Sequence, residues 1–326
     1  MNSAEARGHV LLSIVLPIYN NASCLEELAR RLHAVLSSEG IDDYEVIFID
    51  DGSGDSSREV VRQLCANDPR VKLIALSRNF GHQYAITAGF DSARGEAVLV
   101  MDADLQDPPE VIPEFLAKWR EGYDVVYGVR LDRPGEQRFK RWTALLFYRI
   151  LRRLTSTEIA LDSGDFRLVS RRAMDTFNTL RERSRFVRGM VSWLGYPHAS
   201  VHYHRAPRWA GESQYSLRKL VRFALDGIFS FSDLPLRIAT WTGFAGVGVC
   251  LPYLGYAVAS KLILGVPVQG WVSLVAIVIF IGSVQLTMLG VMGEYVGRIY
   301  EELKGRPLYV IQERVGFGDA EERSRR

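Results

Sequence analysis

Cysteine is scarce in this chain, three residues in 326, and Cys24, Cys65 and Cys250 share no spacing suited to a disulfide framework or a zinc site. That excludes a small disulfide-stapled secreted fold and leaves ordinary reduced thiols of a cytoplasmic protein. An excess of one charge is also missing. Lys and Arg total 40 against 38 Asp and Glu, a net of +2 that by itself points to no partner; nucleic acid is not expected as one. There is no internal repeat and no low-complexity tract. Nor is a targeting leader expected. Val10–Ile18 is apolar but short, stops at Pro17 and Asn20-Asn21, and has no small-residue cleavage site after it, so it reads as a strand.

Long apolar runs, by contrast, are present. Ile238–Ser260 and Trp271–Met292 are uncharged, and each exceeds the about 20 residues needed to cross a hydrocarbon core. The alternative is a pair of buried helices in a soluble core. Arg218, Lys219, Arg222 and Arg237 precede the first run; Arg298, Lys304 and Arg306 follow the second; only Lys261 lies between. By the positive-inside rule this is a transmembrane hairpin with both ends, and so the N-terminal domain, in the cytoplasm. The glycines Gly243, Gly246 and Gly248 would let helices approach closely, which leaves a homo-oligomer open.

From Leu11 to Gly128 the pattern alternates. Apolar β-type runs at Leu12–Ile18, Tyr44–Ile49, Val71–Leu76, Ala97–Met101 and Asp124–Tyr127 are separated by helical segments near Cys24–Ser37, Ser56–Cys65, Gln83–Ser92 and Pro109–Arg120. Such alternation predicts an α/β fold with a mostly parallel sheet covered on both faces. Leu131–Thr157 differs. Phe139, Trp142, Leu146, Ile150 and Leu154 recur at helical spacing with six arginines and lysines on the other faces. The segment either lies on an anionic membrane surface or packs on the sheet with a solvated basic face; the hairpin favours the first. Ser216–Phe231 repeats the mixture just before the first span and reads as an interfacial helix. The charged tail Gly318–Arg326 reads as disordered. The expected organisation is a catalytic domain over 1–215 (nucleotide part about 11–130, acceptor side about 131–215), an interfacial helix at 216–235, two transmembrane helices within 236–293, and a cytoplasmic segment at 294–326.

The most informative stretch is VLVMDADLQDPP, Val98–Pro109. An apolar run ends in two carboxylates, Asp102 and Asp104, and in open α/β sheets ligands collect at the carboxyl ends of strands. Two acids there can share one divalent cation, which can hold a diphosphate. A bare Asp-x-Asp also occurs in surface turns, so its neighbours decide. LPIYN (Leu16–Asn20), IDDGS (Ile49–Ser53) and SRNFGH (Ser77–His82) also sit at strand ends, with acids at the second and Arg78 at the third. Asp51-Gly52-Ser53-Gly54-Asp55 alone would be a turn and a helix cap. Four such clusters converge on one crevice.

These segments resemble glycosyltransferase family 2, which has the GT-A fold. LPIYNN, FIDDGSGDSS, LSRNFGHQYAITAGFDSARG and VLVMDADLQDPPEVIP stand in the family's order, and the resemblance runs on through VVYGVR, SGDFRLVSRR, RWAGESQYSLRKL and GEYVGRIYEELKGRP. The subgroup most similar is that of polyisoprenyl-phosphate glycosyltransferases, related to dolichol-phosphate mannose synthase and bactoprenol glucosyltransferases.

The resemblance implies an integral protein of a bacterial inner or plasma membrane. It would move one sugar, UDP-glucose being the first choice of donor, onto undecaprenyl phosphate or another polyprenyl phosphate. It implies roles for matching positions. Pro17, Tyr19, Asn20, Asp50, Asp51, Arg78 and Asp102 would hold the donor nucleotide, with Asp51 facing the base. Asp102, Asp104 and Gln106 would bind Mg²⁺ or Mn²⁺. Asp165, Arg130, Arg167, Arg141, Ser213 and Gln214 would surround the sugar and acceptor, with Asp104, Asp165 and Arg130 closest to the chemistry. Two positions depart from the family pattern: Asn21 where Glu is common, and Gln214 where Lys is common. His202 and His204, with His198 nearby, hint at a metal site, but no third ligand follows at a suitable spacing and they read as ordinary strand histidines. The rival readings are a transferase acting on a sugar hydroxyl and a catalytically silent binding protein on the same fold.

Overall fold

The computed structural model describes residues 10–131, 163–183, 185–205, 234–263 and 270–317. β1 (Leu12–Ile18) and β2 (Tyr44–Asp50) are buried along their whole length, as near-continuous apolar strands are when both faces of a parallel sheet are covered. β3 (Val71–Leu76) and β4 (Ala97–Val100) complete a parallel group in which β1 pairs with β2 and β4, and β2 with β3. β5 (Val125–Arg130), β6 (Ser163–Ser170), β7 (His198–Tyr203) and β8 (Ile311–Val315) extend the sheet to eight strands in the order β7-β5-β6-β4-β1-β2-β3-β8. β6 runs antiparallel to both β4 and β5, β7 is parallel to β5, and β8 is antiparallel to β3. The expected mostly parallel α/β sheet is therefore present, with β6 and β8 the additions that hydrophobic periodicity did not announce.

Helices close the faces. α1 (Ala22–Ser38) buries Cys24, Leu25, Leu28, Leu32 and Leu36, one stripe at three- and four-residue spacing. α2 (Ser57–Asn67), α3 (His82–Ser92) and α4 (Ile112–Arg120) follow β2, β3 and β4. α5 (Arg171–Thr179) and α6 (Val187–Trp193) lie between β6 and β7. α3 sits unusually close to β1. A Cβ on Gly89 would fall 2.2 Å from a Val15 methyl, so only glycine lets the helix lie there. At the strand starts, the buried Glu45 carboxylate takes hydrogen bonds from Ser13 Oγ, Lys72 Nζ (2.6 Å) and Arg94 N–H (2.7 Å), pairing a charge that would otherwise be costly to bury.

Among the described residues, the contacts divide into two units: 10–131, 163–183, 185–205 and 306–317 in one, 234–263 and 270–305 in the other. The second consists of α7 (Leu234–Ile263) and α8 (Trp271–Leu303). Leu236–Tyr256 and Ile277–Leu303 are long and apolar enough to cross a membrane, and neither stretch is buried. Trp241, Phe244, Leu251 and Phe280 are all largely exposed, an apolar surface of the kind that meets a membrane or a protein partner. α8 runs beyond Met292, where the apolar run stops, because the charges that follow are spaced for helical pairing: Glu294 with Arg298 at 3.0 Å, and Glu301 with Lys304. All but Leu131 of the segment 131–157 expected as a helix, the interfacial helix at 216–231, most of the inter-span link and the tail from 318 lie outside the described residues.

Candidate active site

The carboxyl ends of β1, β2 and β4 and the N-terminus of α3 open into one cleft, lined by Pro17, Tyr19, Asp51, His82, Asp102 and Asp104 among others. Its loops are tied together by side chains bonding backbone. Asn20 N–H donates to Ser53 Oγ (3.0 Å) and its side-chain oxygen accepts Gly54 N–H (2.8 Å). Asn21 Oδ1 accepts Tyr19 N–H (2.9 Å). Asp51 takes Phe80 N–H on one oxygen (2.7 Å) and Gly81 N–H on the other (2.9 Å), fixing the turn that starts α3. The loops touch so closely that a Cβ on Gly52, at φ +73°, would lie 2.6 Å from backbone atoms of Arg78 and Asn79. Among the described residues, the only non-glycine residues with positive φ are Asn20 (+56°) and Leu105 (+59°). Both belong to these loops, and a bulky residue in that region costs ~1–2 kcal/mol. Leu105 is buried, and the turn it makes lets Gln106 N–H reach Asp104 Oδ1 at 3.1 Å.

β6 adds Asp165. One of its oxygens lies 3.2 Å from His82 Nε2; the other is 3.3 Å from Arg188 Nη2 and 3.8 Å from Arg167 Nη2. His82 Nε2 is also 3.6 Å from Asp102 Oδ1. Burial would raise the Asp165 pKa, but Arg188, His82 and Arg167 outweigh it and hold the carboxyl well below the usual range. Asp102 moves the other way: burial, with Asp107, Asp165 and Asp104 nearby, pushes it up against the pull of His82. Burial would lower the His82 pKa, yet Asp165 and Asp102 push it up to about 9. Burial takes Arg167 down to about 10.

Not every expected residue enters the cleft. Asp50 does not line it: its fully buried carboxylate accepts Ser53 N–H (2.9 Å) and Arg58 Nε (2.8 Å), a structural ion pair. Arg78 stacks on the Phe80 ring at 4.2 Å and donates to Asn79 O. Arg130 is engaged by Tyr203 Oη (3.1 Å) and by Asp107 (3.4 Å). Tyr203 in turn donates to Asp107 Oδ1 at 2.6 Å. Arg167 is buried and bonds Gly164 O. Arg141, Ser213 and Gln214 lie outside the described residues. His202 and His204 are exposed, and among the described residues no three metal-binding side chains converge. Sequence reasoning missed His82, Arg188, Asp107 and Tyr203. His82 had a signal, as the last residue of a strand-end cluster; the other three are defined only by distant contacts.

The acids suit a hard divalent cation. Asp102 and Asp104 face the cleft, and Asp107 keeps one buried oxygen without a partner among the described residues. Oxygen donors of this kind favour Mg²⁺ or Mn²⁺, which are commonly bound by one or two carboxylates with substrate phosphates supplying further ligands.

Fold and cleft define an α/β protein whose site lies at the carboxyl ends of parallel strands. Mannosyl-3-phosphoglycerate synthase from Rubrobacter xylanophilus superposes on 69% of this chain and 77% of its own, at 17% identity and a TM-score of 0.49. Residues 13–177 match the family model of glycosyl transferase family 2. YkcC of Bacillus subtilis (strain 168), named as an uncharacterized glycosyltransferase, is 46% identical over 309 residues, 95% of this chain and 95% of that protein. The bactoprenol glucosyl transferase of Shigella phage SfII is 40% identical over 301 residues, 92% of this chain and 97% of its own. The family match and these two relatives show that the chain belongs to glycosyltransferase family 2, the family its motifs resemble.

Proposed function

We propose that this protein is a membrane-anchored, metal-dependent, inverting glycosyltransferase that moves one sugar from a nucleotide donor, UDP-glucose in the first instance, to polyprenyl phosphate such as undecaprenyl phosphate. The observation that carries the reading is the pair Asp102 and Asp104 at the end of β4, opening on a cleft between strand-end loops. The acceptor is drawn from the relatives named bactoprenol glucosyl transferase and from the two apolar helices, which would keep the site at a bilayer where the lipid headgroup lies. On this reading the α7–α8 hairpin sits in a bacterial inner membrane and the catalytic unit is cytoplasmic.

Pro17 and Tyr19 pack the nucleoside, and Asp51 faces its base. Asp102 and Asp104, with Gln106 beside them, hold Mg²⁺ or Mn²⁺, which when bound offsets charge gathering on the departing nucleoside diphosphate. A phosphate monoester acceptor has a second pKa of roughly 6, so it arrives ionised and needs no strong base. The chain's task is positioning and charge stabilisation for a displacement with inversion. Arginine forks onto phosphate oxygens. Arg188, which has one nitrogen on Asp165 and Nε without a partner among the described residues, is better disposed for this than Arg130, whose Nε and Nη2 are taken by Tyr203 and Asp107. Asp165 borders the sugar, with the buried Arg167 behind it.

The test incubates the detergent-solubilised full chain with labelled UDP-sugars, Mn²⁺ or Mg²⁺, and polyprenyl phosphate. Label in a mild-acid-labile lipid is expected. Label confined to an added oligosaccharide would replace this acceptor with a sugar hydroxyl, and no transfer from any donor would favour a binding protein.

A further inference from the structure

His82 belongs to neither the nucleotide-binding loops nor the paired metal acids, yet it touches the territory of both. It is the first residue of α3. Its place is set from two sides: the turn before it hangs on Asp51 through Phe80 N–H and Gly81 N–H, and the helix after it lies against β1 at Gly89. From there the ring reaches to Asp165 on β6, eighty-three residues away. Nε2 carries a single hydrogen. At 3.2 Å from Asp165 that hydrogen makes a bond; at 3.6 Å from Asp102 it does not. The imidazole therefore stands between two carboxylates and commits to one, leaving Asp102 free to face a cation. The same helix also helps place a second partner of Asp165, because Gln83 Oε1 accepts Val187 N–H at 3.0 Å, at the start of the helix that carries Arg188.

We propose that His82 is a positioning residue for transfer: its Nε2–H holds the Asp165 carboxylate against β6, apart from the Asp102–Asp104 pair, so that one acid orients the sugar side while the other two receive the metal. This rests on the transfer reading above. Because His82 is launched by the turn that Asp51 ties, it also connects the nucleoside end of the cleft to the acceptor side through one short helix. A glutamine here keeps an N–H at nearly the same reach, whereas an alanine leaves the Asp165 oxygen unmatched.

The experiment compares His82→Ala, His82→Gln, Asp165→Asn and the His82→Ala/Asp165→Asn double variant in the full-length protein. Loss of a supporting hydrogen bond of this kind should lower kcat by about 10- to 100-fold in His82→Ala. The donor KM should stay within about 3-fold, and His82→Gln should keep kcat within about 5-fold of the parent, because uniform binding is untouched. In the Asp165→Asn background, adding His82→Ala should change kcat by less than about 3-fold, since the two act as one unit. Equal losses in the alanine and glutamine variants, or fully multiplicative losses in the double variant, would overturn the proposal. A second readout is independent of activity. With ¹⁵N-labelled histidine, one ring N–H should resonate downfield through its carboxylate partner, disappear in His82→Gln and shift in Asp165→Asn. A spectrum unmoved by Asp165→Asn overturns the link. If the parent does not transfer to polyprenyl phosphate, the acceptor reading fails, and this spectrum still decides the role of His82.

Discussion

The two sides of the catalytic cleft are built by different means. On the β1–β2–β3 side, loops are held by short-range polar ties: Asn20 to Ser53 and Gly54, Asn21 to Tyr19, Asp51 to the Phe80–Gly81 turn. Neutral groups and backbone amides do most of that work, so this end, the proposed nucleoside end, is stiff without concentrating charge. On the β5–β6–β7 side, Asp165, Arg167 and Arg188 form one ionic group and Asp107, Arg130 and Tyr203 another. Buried charges are tolerated only when paired, and removing one member leaves its partner exposed to the full desolvation cost. The first side should therefore fail gradually under mutation and the second abruptly, with the Asp102–Asp104 pair between them.

That middle pair carries the largest expected effect. Asp104→Asn removes a hard oxygen anion from the proposed metal position, a loss worth several kcal/mol at the transition state, so transfer should fall by at least about 10³-fold. Thermal unfolding should be nearly unchanged, because Asp104 is only half-buried. Chelation with EDTA should match this loss and Mn²⁺ or Mg²⁺ should restore it; activity that survives both would remove the cation from the mechanism. Next in size is Arg188→Ala. It strips one of the cations from Asp165 and should cost about 10²-fold in rate, while UDP affinity, measured by calorimetry, stays close to the parent. A matching loss of UDP affinity would show that the two sides are not separable.

This contrast also marks what was legible in the sequence. The parallel half was readable because its signals are local: apolar runs of strand length, each closed by a polar turn, with Asp102 and Asp104 two residues apart. β1 and β3 fall where the pattern puts them, and β4 ends one residue earlier. Asp50 and Asp51 show the limit of such reading. They are adjacent and identical in type, but Asp50 is the last residue of β2 and pairs with Arg58, while Asp51, the first residue past the strand, faces the cleft. The ionic side was readable only as resemblance. Asp165 meets His82 across eighty-three residues and Tyr203 meets Asp107 across ninety-six, and no periodicity links such positions. β8 is the extreme case. IQERV is short and has two charged residues of five, and its pairing with β3 depends on a chain that has first passed through α7 and α8.

The stiffness of the β1–β2–β3 side can be tested at Gly52. An alanine there must either abandon φ +73° or push into the backbone of Arg78 and Asn79. The expected cost is ~1–3 kcal/mol of stability, with UDP binding weakened because the Asp51 loop moves. Unfolding followed by intrinsic fluorescence and UDP titration would check both. An unchanged protein would mean that the two loops separate easily and that the gradual behaviour assigned to this side comes from slack, not from many small ties.

The smallest expected effect comes from an ion pair that looks as good as those around Asp165 but sits in water. Arg62 Nη2 lies 2.6 Å from Glu313 Oε2, shorter than the Arg188–Asp165 contact at 3.3 Å, and fastens β8 to α2. Yet Arg62 is 41% exposed where Asp165 is 12% exposed, and exposed pairs contribute only about 0–1 kcal/mol. Arg62 holds the Glu313 carboxyl below its usual range. The contribution is therefore present above the ordinary glutamate pKa of about 4.3 and fades as pH falls through the lowered value. Arg62→Ala should cost about 0.5 kcal/mol at pH 7 and low salt, less in high salt, and leave transfer within about 2-fold. Hydrogen exchange at Ile311–Val315 would report the loosening directly. A loss as large as that of Arg188→Ala would show that β8 is needed to shape the cleft, and that exposure does not separate the two kinds of ion pair in this fold.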